Sequence, residues 1–130
     1  MSVPFIDMYR MHAPLEDVFK KKFDEILKGS AFIKGKYLEE FETEFAKWVG
    51  TDFCVGVGSG HDGLVLSLKG LGIGKGDKVI APAMTFISSI EAIYEVGAEI
   101  KLVDVDKNGL IDLEQVEALL KDDTYKAMMP

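Results

Sequence analysis

The sequence predicts an α/β fold, an incomplete and mostly parallel sheet with flanking helices. Two observations carry that expectation. Short runs that suit strands, at Lys78-Val79-Ile80-Ala81, Glu99-Ile100-Lys101-Leu102-Val103 and Tyr125 to Met129, alternate with stretches whose apolar residues recur at helical spacing. Glycine or proline stands at the junctions, at Gly29, Gly50, Pro82 and Gly97. Strands that alternate with helices pair in parallel, because each helix carries the chain back to the edge where the last strand began. A chain of 130 residues is long enough for one domain with a real core.

Residues 1–13 read as an extended arm, since Pro4 and Pro14 disfavour a continuous helix. Pro14 suits the first turn of a helix. On that helix Leu15, Val18, Phe19, Phe23, Ile26 and Leu27 share one face, and Lys20, Lys21, Lys22 and Asp24 take the other. Gly29 is a fitting stop. The loop 30–36 carries two apolar residues, Phe32 and Ile33. They either contact a ligand or subunit, or plug the domain's own core. Tyr37, Leu38, Phe41, Phe45, Trp48 and Val49 make a second amphipathic helix that ends at Gly50. Its aromatic stripe is expected in a core rather than around a cofactor.

Phe53, Val55 and Val57 then alternate with small residues, as in a short first strand. Gly56, Gly58, Ser59, Gly60 and Gly63 come next, and Leu64, Leu66, Leu68 and Leu71 continue as an apolar helix. Strand, glycine turn and helix together aim free backbone N–H groups at an anion. Small residues there keep Cβ atoms from holding a ligand off the backbone. The turn therefore reads as a phosphate cradle. Gly72, Gly74 and Gly76 precede the strand at Lys78, and Pro82 ends that strand. Ile87, Ile90, Ile93, Tyr94 and Val96 lie on the next helix, closed by Gly97. Asp112 caps a further helix with Leu113, Val116, Leu119 and Leu120 on one face.

Composition removes several function classes. Net charge is −7, which disfavours a nucleic-acid surface. The single cysteine, Cys54, allows neither an intrachain disulfide nor a cysteine zinc cluster. It reads as a small core residue. The N-terminus has no long apolar core, and no run approaches the ~18 apolar residues of a membrane span. The cytoplasm is the default compartment.

Three motifs compete for the chemistry. Gly58-Ser59-Gly60-His61-Asp62-Gly63 matches G-x-G-x-x-G. A dinucleotide site would also need an acidic residue about 20 positions on, at the end of the next strand. That strand ends Ile80-Ala81-Pro82-Ala83, with no carboxylate. The segment 104–115 imitates an EF-hand loop through Asp104, Asp106, Asn108, Gly109 and Asp112. Its last position is Gln115, which cannot supply the bidentate carboxylate, and the preceding residues look like a strand rather than a helix. The other reading of 104–115 is a polar strand-to-helix loop turning at Asn108-Gly109. The third motif is a single-phosphate cradle at 58–62 joined by Phe86, which lies just past the tip of the second expected strand. Strand tips of open α/β sheets are where ligands sit, and an aromatic there could lie flat on a planar ring. The alternative is a core Phe that starts the next helix.

The whole chain resembles the N-terminal part of the DegT/StrS-type sugar aminotransferases, pyridoxal 5'-phosphate (PLP) enzymes of fold type I. The resembling stretches are PFIDM, AFIKGKYLEEFETEFAKWVG, VGVGSGHDGLVLSLKGLGIGKGDKVIAPAMTFISSIEAI, GAEIKLVDVD and TYKAMMP, in the family's order and spacing. The resemblance implies that 1–130 is the N-terminal portion of the PLP-binding large domain, with 1–50 as an arm and two helices and 51–130 as alternating β/α. The family's S-G-T-D-A-L turn is here Ser59, Gly60, His61, Asp62, Gly63 and Leu64. Gly60 and His61, beside Ser59 and Asp62, would hold the PLP phosphate, and Phe86 would stack on the pyridine ring. Phe32, Ile33 and Gly35 match an F-I-x-G segment near the active site. His61 stands for the family's threonine and Gly63 for its alanine, so a hydroxyl contact is lost and the imidazole could replace it.

The family's Schiff-base lysine, the aspartate that pairs with the pyridine nitrogen and the small domain match nothing here. The resemblance thus implies no catalytic residue and no metal site in these residues, and a fragment inactive alone. Its implied substrates are an amino acid, with glutamate as donor, and a keto-sugar nucleotide, in amino-sugar and polysaccharide biosynthesis. Its implied assembly is a homodimer. A PLP-dependent sugar dehydratase of the same fold remains open, as does the calcium reading of 104–115.

Overall fold

The computed structural model describes residues 3–121 and 124–130. The chain divides into two units, Met1–Gly56 and Val57–Pro130. In the first, α1 (Met8–His12) leads through a 3-10 turn (Ala13–Leu15) into α2 (Glu16–Gly29), and α3 (Lys36–Val49) comes after it. The arm expected to be extended is therefore partly helical. Asp7 caps α1 by accepting the Arg10 N–H at 2.9 Å, and Pro14 lies in the 3-10 turn, whose N–H groups need no helical acceptor. Ser30 (φ +50°) ends α2 and Gly50 (φ +84°) ends α3, both left-handed.

The aromatic stripe of α3 does not enter a core. Phe41 stacks on Phe45 and Trp48 tilts against Phe45, with centroids 5.3 and 5.5 Å apart. All three are exposed, Trp48 to 81%. Ala46 is the buried residue of that helix.

The second unit holds α4 (Gly60–Gly70), β1 (Lys78–Pro82), α5 (Ile87–Glu95), β2 (Glu99–Val103), α6 (Leu113–Leu120) and β3 (Tyr125–Met128). The strands form one sheet in the order β2-β1-β3, and both pairings are parallel. Alternation along β1 sorts the core onto two faces. Val79 and Ala81 pack with Val65, Leu68, Ala92 and Ile93 beneath α4 and α5. Ile80 packs with Val103 and Val116 beneath α6. Covering both faces is what a parallel sheet requires.

Residues 53–57 form no strand. The alternation of Phe53, Val55 and Val57 is real, but a strand exists only with a ladder partner, and no described residue pairs with this segment. Phe53 and Val55 are left exposed.

The turn after α4 comes close to α5. A Cβ on Gly74 would lie 3.4 Å from the Val96 carbonyl oxygen, and Gly97 approaches Lys75. The loop that leaves α4 thus packs on the C-terminal end of α5.

Candidate cofactor-phosphate site

Ser59 is the N-cap of α4, in extended backbone (φ −160°, ψ 168°). Its Oγ accepts the Asp62 N–H at 3.0 Å, and its carbonyl accepts the Gly63 N–H at 3.0 Å. Those bonds serve the third and fourth amides of the turn. The amides of Gly60 and His61, at the first two helical positions, have no acceptor among the described residues. The Ser59 hydroxyl proton is also free to donate, because only an oxygen lone pair is engaged. A Cβ placed on Gly60 would meet nothing within 4 Å. Two backbone amides and one hydroxyl proton are thus without acceptors at the positive end of a helix dipole.

The donor set fits one phosphate group. One feature works against it. Asp62 lies in the same first turn, and its Oδ2 comes within 2.6 Å of where a Gly58 Cβ would be. Its charge competes with an incoming anion for the same field, and Gly58 is the residue type that lets the carboxylate fold back.

His61 does not turn its ring to the cradle. Nε2 meets Glu95 Oε2 at 3.2 Å, and Nδ1 is buried without a partner. The Glu95 carboxylate also lies 3.8 Å from Lys69 Nζ. The imidazole is therefore committed to α5, which leaves the His61 backbone N–H as that residue's open donor in the turn. The expectation that the ring could stand in for a threonine hydroxyl is corrected on that ground. Glu95 was invisible to sequence reasoning, because 34 residues separate it from His61 and no motif links them.

Phe86 caps α5 at its N-terminus without a side-chain bond and is 76% exposed. It is not a core residue. The hydrogen-bond partner of the cradle turn on α5 is Glu95, the last residue of that helix, whereas Phe86 precedes its first. Phe32 and Ile33 lie in the first unit, and both are exposed rather than plugging a core.

The 104–115 loop is consumed by its own backbone. Asp106 Oδ1 accepts the N–H groups of Leu110 at 3.0 Å and Asn108 at 2.8 Å, and Val105 bridges Ile111. Asp112 caps α6 through the N–H groups of Glu114 and Gln115. The Leu110 amide, then the Asn108 amide, hold the Asp106 carboxyl below the ordinary aspartate value. The Gln115 amide and side chain do the same for Asp112. Gln115 Nε2 donates to Asp112 Oδ2, so the twelfth position closes the loop rather than ligating an ion. The segment before the loop is β2, not a helix. No group of three His, Cys, Asp or Glu converges among the described residues. Among them, too, no helix is long and apolar enough to cross a membrane.

The chain is 38% identical over 130 residues to a UDP-N-acetyl-3-dehydro-alpha-D-glucosamine 3-aminotransferase of Acidithiobacillus ferrooxidans, covering 99% of this chain and 35% of that protein. The crystal structure of S. venezuelae DesV superposes with a TM-score of 0.90 at 36% identity, covering 97% of this chain and 34% of that one. A GDP-4-keto-6-deoxymannose-3-dehydratase, solved with a trapped PLP-glutamate geminal diamine, gives a TM-score of 0.77 at 31% identity over 84% of this chain and 30% of that one. The chain spans about a third of the length of the curated relatives it matches. The model of the DegT/DnrJ/EryC1/StrS aminotransferase family matches residues 15–130, and the chain belongs to that family.

Proposed function

We propose that the chain is the N-terminal portion of the PLP-binding large domain of a nucleotide-sugar aminotransferase. Residues 1–50 form its arm and two helices, and 51–130 its alternating β/α part. The whole enzyme moves an amino group from an amino acid, with glutamate as donor, to a keto-sugar nucleotide, for amino sugars of surface polysaccharides or natural products. It works as a homodimer in the cytoplasm. The observation that carries this reading is the pair of open amides at Gly60 and His61 beside the Ser59 hydroxyl.

Each residue has a binding role. Gly60 and His61 donate backbone N–H groups to the phosphate, Ser59 donates its hydroxyl, and Asp62 closes the turn. Phe86 offers a flat apolar face to the pyridine ring, and Phe32 and Ile33 face the sugar substrate. Bound PLP supplies the electron sink. No lysine of these residues matches the family's imine-forming position, so the 130 residues alone are expected to be inactive. Similarity to the dehydratase favours a second reading within the same fold. The two part at the group that fills the imine-forming position.

Gly60→Pro tests the cradle. Proline suits the first helical position, and Ser59 already has the extended backbone it demands. The substitution therefore deletes one amide donor and spares the helix. A hydrogen bond to a charged group contributes about 1.5–3 kcal/mol. Binding of pyridoxine 5'-phosphate, which has no aldehyde to react with lysines, should weaken by roughly tenfold or more. Equal binding of pyridoxine and its phosphate ester would overturn the reading.

A further inference from the structure

We propose that Glu95 is a positioning residue for the phosphate cradle. By holding the His61 ring it orders the first turn of α4 and sets the Gly60 and His61 amides before an anion arrives. This role rests on the cradle reading of Ser59, Gly60 and His61 and deepens it.

The segment 58–63 runs Gly-Ser-Gly-His-Asp-Gly. Small residues open the turn to a ligand, but each glycine also has more backbone freedom to lose on ordering. The first amides of the helix have no intrahelical acceptor to hold them. Ser59 ties the turn only to itself, through the Asp62 and Gly63 N–H groups. Among the described residues, His61 carries the one side chain of 58–63 that bonds to another element, across 34 residues of sequence. A turn made open by glycine is thus anchored through a single ring.

The anchor is sheltered and its donor is defined. The His61 side chain is 29% exposed, and α4 and α5 share a buried core of Val65, Leu68, Ala92 and Ile93. A proton on Nε2 donates to Glu95 Oε2 at 3.2 Å. Nδ1 then carries a lone pair and no proton, so that buried atom has no donor left without an acceptor. Glu95 Oε1 lies 3.8 Å from Lys69 Nζ, about two turns along α4 from His61. The carboxylate therefore reaches α4 at two levels, and the ammonium offsets its charge beside a turn suited to an anion. His61 also supplies one of the two open amides, so fixing its ring fixes the direction of that donor. Donors ordered in advance need not be ordered by the ligand.

Calorimetry with pyridoxine 5'-phosphate and amide hydrogen exchange, both on the full chain, test this role. Glu95→Gln removes the charge but keeps an oxygen for the Nε2 proton, whereas Glu95→Ala removes both. Their difference therefore isolates the bond from the charge. One net hydrogen bond corresponds to about three- to tenfold in an equilibrium. Glu95→Ala is expected to bind the phosphate ester about three- to tenfold more weakly than Glu95→Gln, and its Asp62 and Gly63 amides to exchange faster by a similar factor. The Val65 and Leu68 amides, in the body of α4, should exchange alike in both variants. With His61→Ala already in place, Glu95→Ala should change neither binding nor first-turn exchange. Equal binding by the Gln and Ala variants, equal first-turn exchange in them, faster exchange along the whole of α4, or an undiminished Glu95→Ala effect without the ring would each overturn the proposal. Failure of the cradle reading shows differently, as equal binding of pyridoxine and its phosphate ester by the unaltered chain.

Discussion

The long helices of Met1–Gly56 are more amphipathic than those of Val57–Pro130, yet the fully buried residues lie in the second unit. Phe19, Phe23, Leu27, Phe41 and Trp48 stay exposed in the first unit, where Ala46 is the buried hydrophobic residue among the described ones. In the second, Val79, Ile80, Ala81, Ala92 and Ile93 have no accessible surface. The difference lies in the element that each helix leads into. A helix between two parallel strands is returned to the sheet those strands form, so its apolar face is covered by its own neighbours in sequence. A helix that leads into a loop and another helix carries the same stripe without that guarantee. An amphipathic pattern therefore shows that a face wants cover, not that the chain at hand supplies it.

The largest effect to separate the units is a core truncation. Ile93→Ala should lower unfolding free energy by about 2–5 kcal/mol, since Ile93 is fully buried and its loss opens a cavity. Trp48→Ala removes a larger side chain, but from the surface, and should cost under about 1 kcal/mol. Denaturant unfolding, monitored by far-UV circular dichroism, measures both. A larger loss from Trp48→Ala would mean that the aromatic stripe is covered in solution.

A smaller effect should be equal in the two units. Gly50 (φ +84°) and Gly97 (φ +80°) both stop a helix in left-handed backbone. Alanine at either position should cost about 1–2 kcal/mol, because the penalty arises between Cβ and its own backbone. Unequal costs in the same unfolding experiment would show that tertiary packing enters even there.

The smallest effect belongs to the acid end of the pH range. Asp106 and Asp112 are held below the usual aspartate value by backbone N–H groups. A depressed folded value stabilises the ionised form. That contribution is complete above the unfolded value of about 3.9 and is lost as pH falls from there through the folded values. The thermal midpoint should fall below pH ~4, and Asp112→Asn, which keeps a capping oxygen, should flatten part of that fall. A midpoint independent of pH between about 5 and 2 would show that these bonds do not persist.

Much of the fold can be read from local sequence. Glu99 to Val103 and the Asp112 cap emerge where their residues put them, because strand run, turn and cap are local. The cradle is legible as spacing, in small residues before an apolar helix. The expectations that failed did so for different reasons. Phe53, Val55 and Val57 alternate like a strand and have no partner among the described residues, whereas α1 rests on a local cap, the Arg10 N–H on Asp7, that the two prolines masked.

By itself the sequence determined the periodicities, the stops and the residue types of the anion turn, since each depends on neighbours within a turn or two. Only the tertiary structure decided that His61 spends its ring on Glu95, that Phe86 stands in the open, and that Lys22 lies over the Tyr37 ring. Those outcomes join residues far apart along the chain, and a distance across space is not encoded at any single stretch.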